Sequence, residues 1–223
     1  MSEFVYKVAR FDGILKIDSI WDKTEWQPID SLVLTNWMGE KPAFWPVVQV
    51  KMMYNPENLF LIYRVEDKYV KCLTKEVNGP VYSDSCVEFF FSPDPEFPSR
   101  YFNLEINCGG TALFHYNLVA RKEKRLITHE DINQVEIATS LPEIVNPEIT
   151  DKVIWTVECR IPMAVLQKYS NLAKPAKGTL WPANFYKIAD SGSNIHFITW
   201  TFIDLPKPDF HRPDFFGYLL FDS

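Results

Sequence analysis

The stretch PVYSDSCVEFFF, residues 80–91, joins a polar, turn-forming beginning to a short and strongly apolar end. The apolar part has the composition of a buried β-strand, in which successive side chains point to opposite faces. Glu88 therefore shares its face with Cys86 and Phe90. An ionised carboxylate among so many apolar groups is costly to bury unless it is paired or faces water. The stretch predicts a central strand with a groove or a partner at Glu88.

The composition is that of a folded and mildly acidic protein. The 223 residues are 47% hydrophobic and 15% aromatic, which is ample for a packed core, and the formal net charge is −6. A nucleic-acid surface needs clustered lysine and arginine, whereas the basic segment at residues 121–125 is short and interrupted by an acid. We interpret that segment as a solvated hairpin loop and expect no nucleic-acid partner.

The sequence has no segment typical of membrane insertion or secretion. No apolar run approaches the ~20 residues that cross a bilayer, so no membrane partner is expected. The first residues, MSEFVYKVARFDG, lack the apolar centre of a secretory signal. They predict a cytoplasmic location if the N-terminus is native, and an exported protein if it has been trimmed.

The four cysteines are not arranged as a metal or redox motif. No two of Cys72, Cys86, Cys108 and Cys159 form a CxxC pair. Cys86 and Cys159 lie in apolar, strand-like runs, where a free cysteine behaves as a small hydrophobic residue. We therefore expect buried thiols rather than disulfides.

Several other segments have the alternation or the apolar runs of β-strands. Residues 46–54 and 58–65 are separated by a turn-forming Asn-Pro-Glu and predict a hairpin. In residues 100–107 polar and apolar side chains alternate strictly, which places Asn103 and Glu105 on one face. Further strands are predicted at residues 111–116, 134–140, 153–160, 180–190, 196–201 and 217–221, and the best helix at residues 161–169.

This pattern of about ten strands and one or two short helices lacks the strand–helix alternation of a parallel sheet. It predicts an all-β fold, an antiparallel β-sandwich of jelly-roll type. The sequence shows no internal boundary and no repeat. Residues 1–223 are therefore predicted to form a single domain.

The sequence supports catalysis poorly but leaves two alternatives open. It has no GxSxG and no HExxH segment. A glycoside hydrolase remains an alternative, because such enzymes use two carboxylates that face each other across a groove, and Glu88 could pair with Asp84 or Glu105. A β-sandwich that binds haem or a protein partner is a further alternative, with Met163 and His196 as candidate haem ligands.

Two segments carry the combination of groups that sugar binding requires. Aromatic rings stack on the C–H-rich faces of sugars, while carboxylates and amides bind the hydroxyl groups. Tyr82 with Asp84 and Glu88 offers one such set, and the aromatic and charged segment at residues 208–217 offers another. In an alternative interpretation of the second segment, Arg212 pairs with Asp214 and the phenylalanines seal the edge of the sandwich.

Taken together, these segments resemble the family 9 carbohydrate-binding modules, and more closely the single-domain proteins similar to them. The resemblance covers almost the whole length and rests on blocks in matching order and spacing: the early tryptophans, the strand at residues 59–67, and the runs at residues 83–88 and 212–217. It implies a β-sandwich that binds glucose-, cello- or xylo-type carbohydrate between two aromatic side chains without catalysis. It also implies an association with glycoside hydrolases in carbohydrate catabolism, and structural calcium as the one candidate cofactor.

The resemblance also assigns individual site residues. The two aromatic residues that hold the sugar fall on Tyr82 and Phe210, and the acid that binds hydroxyl groups falls on Glu88. The family usually has tryptophan at both aromatic positions, so the stacking area here is smaller. An arginine of the family is replaced by Asn103, which removes a charged donor.

The remaining predicted contacts lie in and beside the second aromatic segment. A family amide aligns near Lys207, and Arg212 is expected to bind hydroxyl groups. Strand alternation adds three candidates for the same groove: Asn184, Tyr186 and Lys187.

Overall fold

The structure, a computed structural model that describes residues 4–223, is built almost entirely of β-strands. In chain order they are β1 (Val5–Arg10), β2 (Leu32–Val33), β3 (Asn36–Met38), β4 (Val47–Tyr54), β5 (Asn58–Asp67), β6 (Val70–Cys72), β7 (Cys86–Phe91), β8 (Tyr101–Asn107), β9 (Ala112–Val119), β10 (Glu123–Leu126), β11 (Glu136–Thr139), β12 (Val145–Ile149), β13 (Val153–Pro162), β14 (Leu180–Ala189), β15 (His196–Thr199) and β16 (Gly217–Phe221). The described helices are α1 (His129–Ile132), α2 (Met163–Gln167) and the 3-10 turns Thr24–Trp26, Val81–Ser83 and Pro213–Phe215.

Most of the strands form two sheets that face each other, and β12 pairs with β6 in a separate two-stranded sheet. The front sheet has the order β10-β9-β8-β7-β14-β16-β1, and β15 extends it by pairing with the end of β14 and with β3. The back sheet has the order β1-β4-β5-β13-β11, with β2 on the other part of β4. The predicted all-β sandwich with two short α-helices is confirmed. Its organisation as a single domain stays a prediction.

One strand belongs to both sheets and departs from the expected antiparallel pairing. The first part of β1 pairs in parallel with β16, in the register Val5↔Tyr218 to Val8↔Phe221. Its last two residues, Ala9 and Arg10, pair in parallel with β4. β1 therefore passes from the front sheet to the back sheet and joins them along one edge.

The core lies between the sheets and is centred on β7. Phe89 and Phe91 stack on each other with ring centroids 4.4 Å apart, and Phe89 also stacks on Phe185 of β14 at 5.0 Å. Phe90 points the other way, into a separate apolar cluster on the outer face of the front sheet. The alternation predicted for this strand is therefore confirmed. Burying each of these phenylalanines contributes roughly 1.5–3 kcal/mol, so this segment contributes strongly to the stability of the fold.

The outer face of the back sheet is covered by the loop that follows β1. Glu158 of β13 is fully buried and holds this loop, because its carboxylate accepts hydrogen bonds from the Ser19 backbone at 2.7 Å and the Trp26 indole at 2.8 Å. Lys23 adds an ion pair to Glu158 at 2.7 Å. The outer face of the front sheet is covered only in part, by residues 205–216 and the turn Val81–Ser83.

The long strands agree with the sequence prediction to within a few residues, whereas short edge strands do not. The basic segment at residues 121–125 was expected to be a loop, but Glu123–Leu126 pair with β9 as the edge strand β10. All four residues of β10 are exposed, so no apolar alternation marks it in the sequence. Charged, solvated side chains are typical of an edge strand, where they discourage pairing with other molecules.

The helix predicted at residues 161–169 is shorter in the structure. β13 continues to Pro162, and α2 spans only Met163–Gln167. All four cysteines are buried free thiols, which confirms that prediction. Among the described residues, no helix is both long and apolar enough to cross a membrane.

Candidate functional site

A cavity of about 600 Å³ opens on the outer face of the front sheet. Its floor is formed by β7, β8, β9 and the end of β14. Its walls come from the turn Val81–Ser83, the β9–β10 turn and the loop at residues 207–211. Strand pairing brings these distant segments together, and the volume is typical of small-molecule sites.

The floor carries two acidic side chains side by side. Glu88 of β7 lies directly opposite Glu105 of β8 in the antiparallel register, so both side chains leave the same face of the sheet. Only 2% of Glu88 and 4% of Glu105 is exposed. In residues 4–223, no basic side chain forms an ion pair with either carboxyl group.

A chain of amides supplies the hydrogen bonds beside these acids. The Asn117 amide donates to the Asn103 carbonyl oxygen, and the Asn103 amide donates to Oε1 of Glu105 at 2.8 Å. Oε2 of Glu105 is buried without a hydrogen-bond partner. The Asn103 side-chain oxygen therefore already accepts one hydrogen bond, and one N–H of its amide is left for another acceptor.

The pKa values of the acids and the histidine at the floor differ from those of the same groups in water. Burial, and then the negative charge of Glu105, raise the pKa of Glu88 well above its ordinary value. Burial raises the pKa of Glu105 to about 7, although the hydrogen bond from Asn103 opposes this shift. Burial also lowers the pKa of His115 to about 4, so its imidazole is neutral at pH 7. Nε2 of His115 is buried without a partner.

One wall presents an exposed aromatic ring. Tyr82 lies in the turn Val81–Ser83, which is fixed because Val81 is buried and because the Asp190 N–H donates to the Tyr82 carbonyl at 3.1 Å. The Tyr82 side chain is 39% exposed and lines the cavity. No other aromatic ring of the described chain packs against it.

The second predicted aromatic residue is largely buried. Phe210 is only 5% exposed and stacks on Tyr186 of β14, with ring centroids 4.1 Å apart and an angle of 14°. The Tyr186 hydroxyl donates to the Phe210 carbonyl at 3.1 Å. The neighbouring His211 is bonded through Nδ1 to the Tyr101 hydroxyl at 2.7 Å. One ring face of Phe210 is therefore covered by the protein itself.

Charged side chains form the rim. Arg121 in the β9–β10 turn makes two hydrogen bonds to Oδ1 of Asp209, at 2.9 and 2.6 Å, and so connects the turn to the loop at residues 207–211. Lys124 of β10 and Lys207 of the loop also line the cavity. The cavity therefore has an acidic floor and a mainly basic rim.

Five of the six predicted site residues meet at this cavity. Its lining includes Tyr82, Glu88, Asn103, Lys207 and Phe210. Their roles in binding stay predictions.

The sixth, Arg212, does not line the cavity. It pairs with Asp214 through bonds of 3.0 and 2.6 Å, as the alternative interpretation of that segment proposed. Lys187 was also expected in the groove, but it is one residue out of phase with Tyr186 and points into the core, where it pairs with Asp67 at 3.2 Å.

Several lining residues were not among the predicted sugar contacts. They are Glu105, Leu113, His115, Arg121, Lys124, Ile188, Asp190, Phe197, Pro208, Asp209 and His211. The alternation of residues 100–107 was the available signal for Glu105, because it places that residue on the face of Asn103. The rim residues lie in turns and an edge strand, for which the sequence contains no comparable pattern.

The described residues contain no group of three or more His, Cys, Asp or Glu side chains placed to hold a metal ion. The expectation of structural calcium therefore stays a prediction from the resemblance. We assign no residue of the cavity to a metal.

A β-sandwich with an open aromatic and polar cavity on one sheet defines a small-ligand-binding domain. Carbohydrate-binding family 9 matches residues 15–221, and the chain belongs to this family. Its members are non-catalytic carbohydrate-binding domains. No curated protein matches the sequence significantly.

Solved structures share the fold over nearly the full length. A candidate carbohydrate-binding protein from Bacteroides uniformis has a TM-score of 0.86 and 26% identity, with coverage of 97% of this chain and 98% of that one. A family 9 module from Caldicellulosiruptor kristjanssonii in complex with cellotriose has a TM-score of 0.65 and 16% identity, covering 99% and 94%. The complex of a family 9 module from that organism with glucose gives 0.62 and 16%, covering 98% and 95%. At this identity, the last two show a common fold alone.

Proposed function

We propose that the cavity on the front sheet binds a neutral carbohydrate of the glucose, cello or xylo type and releases it unchanged. One observation carries the proposal: a partly exposed aromatic residue, Tyr82, lines the same cavity as the buried Glu88 and a partly free amide on Asn103. The family and the cellotriose and glucose complexes of related modules support the class of ligand.

The two aromatic positions have different parts in this function. Tyr82 supplies a ring face on which the C–H groups of a pyranose stack. Phe210 closes the opposite side, but since Tyr186 already covers one of its faces it offers little further area. Most of the stacking in this site therefore depends on Tyr82.

The floor and rim would fix the orientation of the sugar. Glu88, Glu105 and the free N–H of Asn103 lie at the floor and meet the hydroxyl groups that point into the sheet. Lys124 and Lys207 are placed to bind hydroxyl groups nearer the opening. Few well-placed polar groups in a mostly preformed pocket are enough to select one orientation.

The carboxyl pair does not favour the hydrolase alternative. Glycoside hydrolases place their two carboxyl groups on either side of the scissile bond. Glu88 and Glu105 instead project side by side from adjacent strands, so both approach a ligand from the floor. This arrangement supports binding without turnover.

Removing the exposed ring is the direct test of the site. Isothermal titration of the wild-type protein with glucose, xylose, cellobiose, cellotriose and xylo-oligosaccharides should identify at least one ligand. Tyr82→Ala should then weaken binding by about tenfold or more, because stacking on one aromatic ring contributes on the order of 1–2 kcal/mol.

Phe202→Ala is the matched control, because Phe202 is an exposed aromatic residue that does not line the cavity. Its affinity should equal that of the wild type. Silence across the whole panel would contradict the proposed function. Equal losses of affinity in Tyr82→Ala and Phe202→Ala would contradict the assignment of the site to this cavity.

A further inference from the structure

Few hydrogen-bond donors contact the carboxyl groups of Glu88 and Glu105, which lie side by side on adjacent strands. Of their four oxygens, Oε1 of Glu105 accepts one bond, from Asn103, and Oε2 has no partner. Within the described residues, the Glu88 carboxyl accepts no hydrogen bond at all. Two ionised carboxylates in this position would repel each other in a site largely removed from water.

The neighbouring uncharged groups do not compensate for this repulsion. Burial lowers the pKa of His115 to about 4 and of His211 to about 3, so neither imidazole carries a charge at neutral pH. Tyr186, the neighbour of Glu88 on β14, donates its hydroxyl to the Phe210 carbonyl. Cys86 is buried on the same face.

The charged neighbours are engaged elsewhere or stand at the solvent. Lys187 leaves β14 on the core side and pairs with Asp67. Arg121 is held by Asp209. The other charged groups at the cavity are Lys124 and Lys207, which are exposed on the rim, and Asp190, which adds negative charge. Asp84 is buried and accepts hydrogen bonds from the backbone N–H groups of Leu73 and Thr74.

We propose that Glu88 and Glu105 together hold at least one proton when sugar binds, so that the floor presents a hydrogen-bond donor beside its acceptors. Glu105 is in this view a specificity-determining residue, although it was not expected to contact sugar. The pair suits two neighbouring hydroxyl groups of an uncharged pyranose, one accepting from the carboxylic acid and one donating to the carboxylate. This inference rests on the proposed function of the cavity.

The proton makes a specific prediction for the wild-type protein. Isothermal titration with the tightest sugar of the panel, from pH 5.5 to 9, should give a constant affinity in the acidic range. The affinity should fall only where the last proton leaves the pair, above the pKa of about 7 of Glu105, and then by up to tenfold per pH unit, because the proton must be taken up on binding. Titrations at pH 9 in two buffers with different ionisation enthalpies should show proton uptake.

The variant Glu105→Gln separates this role from a merely structural one. Glutamine keeps the shape of the side chain and carries an N–H donor at every pH. Its affinity should match that of the wild type at pH 6 and exceed it at pH 9, where the wild-type pair loses its last proton. Glu136→Gln, on the exposed edge strand β11, is the control and should keep the wild-type pH profile.

The outcomes distinguish this inference from the proposed function. If no sugar binds at pH 6, the proposed function fails and the inference fails with it. If sugar binds with an affinity that is flat to pH 9 and without proton uptake, the inference alone is overturned. Carbon-13 NMR of the free protein provides a check without ligand, since two glutamate carboxyls that both titrate near their ordinary pKa would also overturn it.

Discussion

At the scale of single residues, the two predicted stacking residues of the site differ in burial, so one is available to a ligand and the other packs into the protein. Tyr82 is 39% exposed and makes no ring contact within the described chain. Phe210 lines the same cavity, yet it lies between Tyr186, on which it stacks, and Phe197, whose ring centroid is 6.1 Å away. Tyr82 and Phe210, the two predicted stacking residues, are therefore expected to differ in role: Tyr82 contributes to ligand affinity, whereas Phe210 contributes to the stability of the fold.

We expect Phe210→Ala to destabilise the protein by about 3 kcal/mol, because it removes a buried aromatic side chain and leaves a cavity against Tyr186. Tyr82→Ala should change the free energy of unfolding by less than about 0.5 kcal/mol, as is usual for an exposed side chain. Urea unfolding followed by tryptophan fluorescence measures both values. A loss of stability in Phe210→Ala as small as that in Tyr82→Ala would show that Phe210 is not part of the packed structure.

At the scale of elements, the site depends on a loop and an edge strand that are fastened to each other. The loop at residues 207–211 rests on the front sheet through Phe210 and His211, and Arg121 in the β9–β10 turn bonds Asp209 across the rim. The Arg121 side chain is well exposed. Exposed ion pairs contribute about 0–1 kcal/mol, so this one affects the opening of the cavity more than the stability of the fold.

Arg121→Gln should therefore leave the free energy of unfolding within about 1 kcal/mol of the wild-type value. It should increase the dissociation rate of the bound sugar, measured by stopped-flow fluorescence, since the rim is no longer fastened. Raising the salt concentration should reproduce part of this increase in the wild type. Arg212→Gln is the control, because Arg212 forms a comparable exposed pair with Asp214 outside the cavity. An unchanged dissociation rate in Arg121→Gln would exclude this role for the ion pair.

The sequence predicted the position of most of the longer strands that bury one face or both. β4, β5, β7, β8 and β13 were predicted with nearly correct bounds, because their apolar residues follow the period of a strand. β1 was not predicted, although Tyr6 and Val8 alternate with exposed residues, because it is short and its partner β16 lies more than 200 residues away in the sequence. The floor of the site followed from strand alternation, whereas the rim depends on turns such as the one at Arg121, whose φ is +60°.

At the scale of the whole molecule, a buried ion pair connects the two sheets. Lys187 of the front sheet and Asp67 of the back sheet are both shielded from solvent, with Nζ and Oδ2 3.2 Å apart. The Lys187 ammonium also lies 2.7 Å from Nε2 of His196, whose Nδ1 lies 2.6 Å from the Asn194 carbonyl. His196 must be neutral to accept from Lys187, so acid should weaken this connection.

The free energy of unfolding should be highest near pH 6.5, because the buried histidines destabilise the fold as the pH falls and the buried glutamates destabilise it as the pH rises. Burial lowers the pKa values of His115, His196 and His211 to about 4, 3 and 3, so below their ordinary value of 6.5 the unfolded chain binds more protons and stability is lost as the pH falls. The pKa values of Glu88 and Glu105 are raised above 4.5, so their contribution is complete below that pH and is lost as the pH rises through about 7 and beyond. Between pH 4.5 and 6.5 the three histidines outweigh the two glutamates.

Urea unfolding at intervals from pH 4.5 to 9 measures this profile. Glu105→Gln should make the stability rise more steeply between pH 4.5 and 7 and shift the maximum to higher pH, because a group whose stabilising contribution is lost over that range has been removed. A stability that rises steadily through pH 8 in the wild type would contradict the assignment of raised pKa values to the glutamates.

The position of β1 also affects the order in which the chain can be assembled. β16 lies between β14 and β1, so β1 has no neighbour in the front sheet until residues 217–221 have left the ribosome. During synthesis, the back-sheet strands β4, β5 and β13 can already pair, whereas the sheet that carries the cavity stays open at this edge. Closure by such distant segments is associated with slow folding. The half of the sandwich that forms the cavity is therefore completed last.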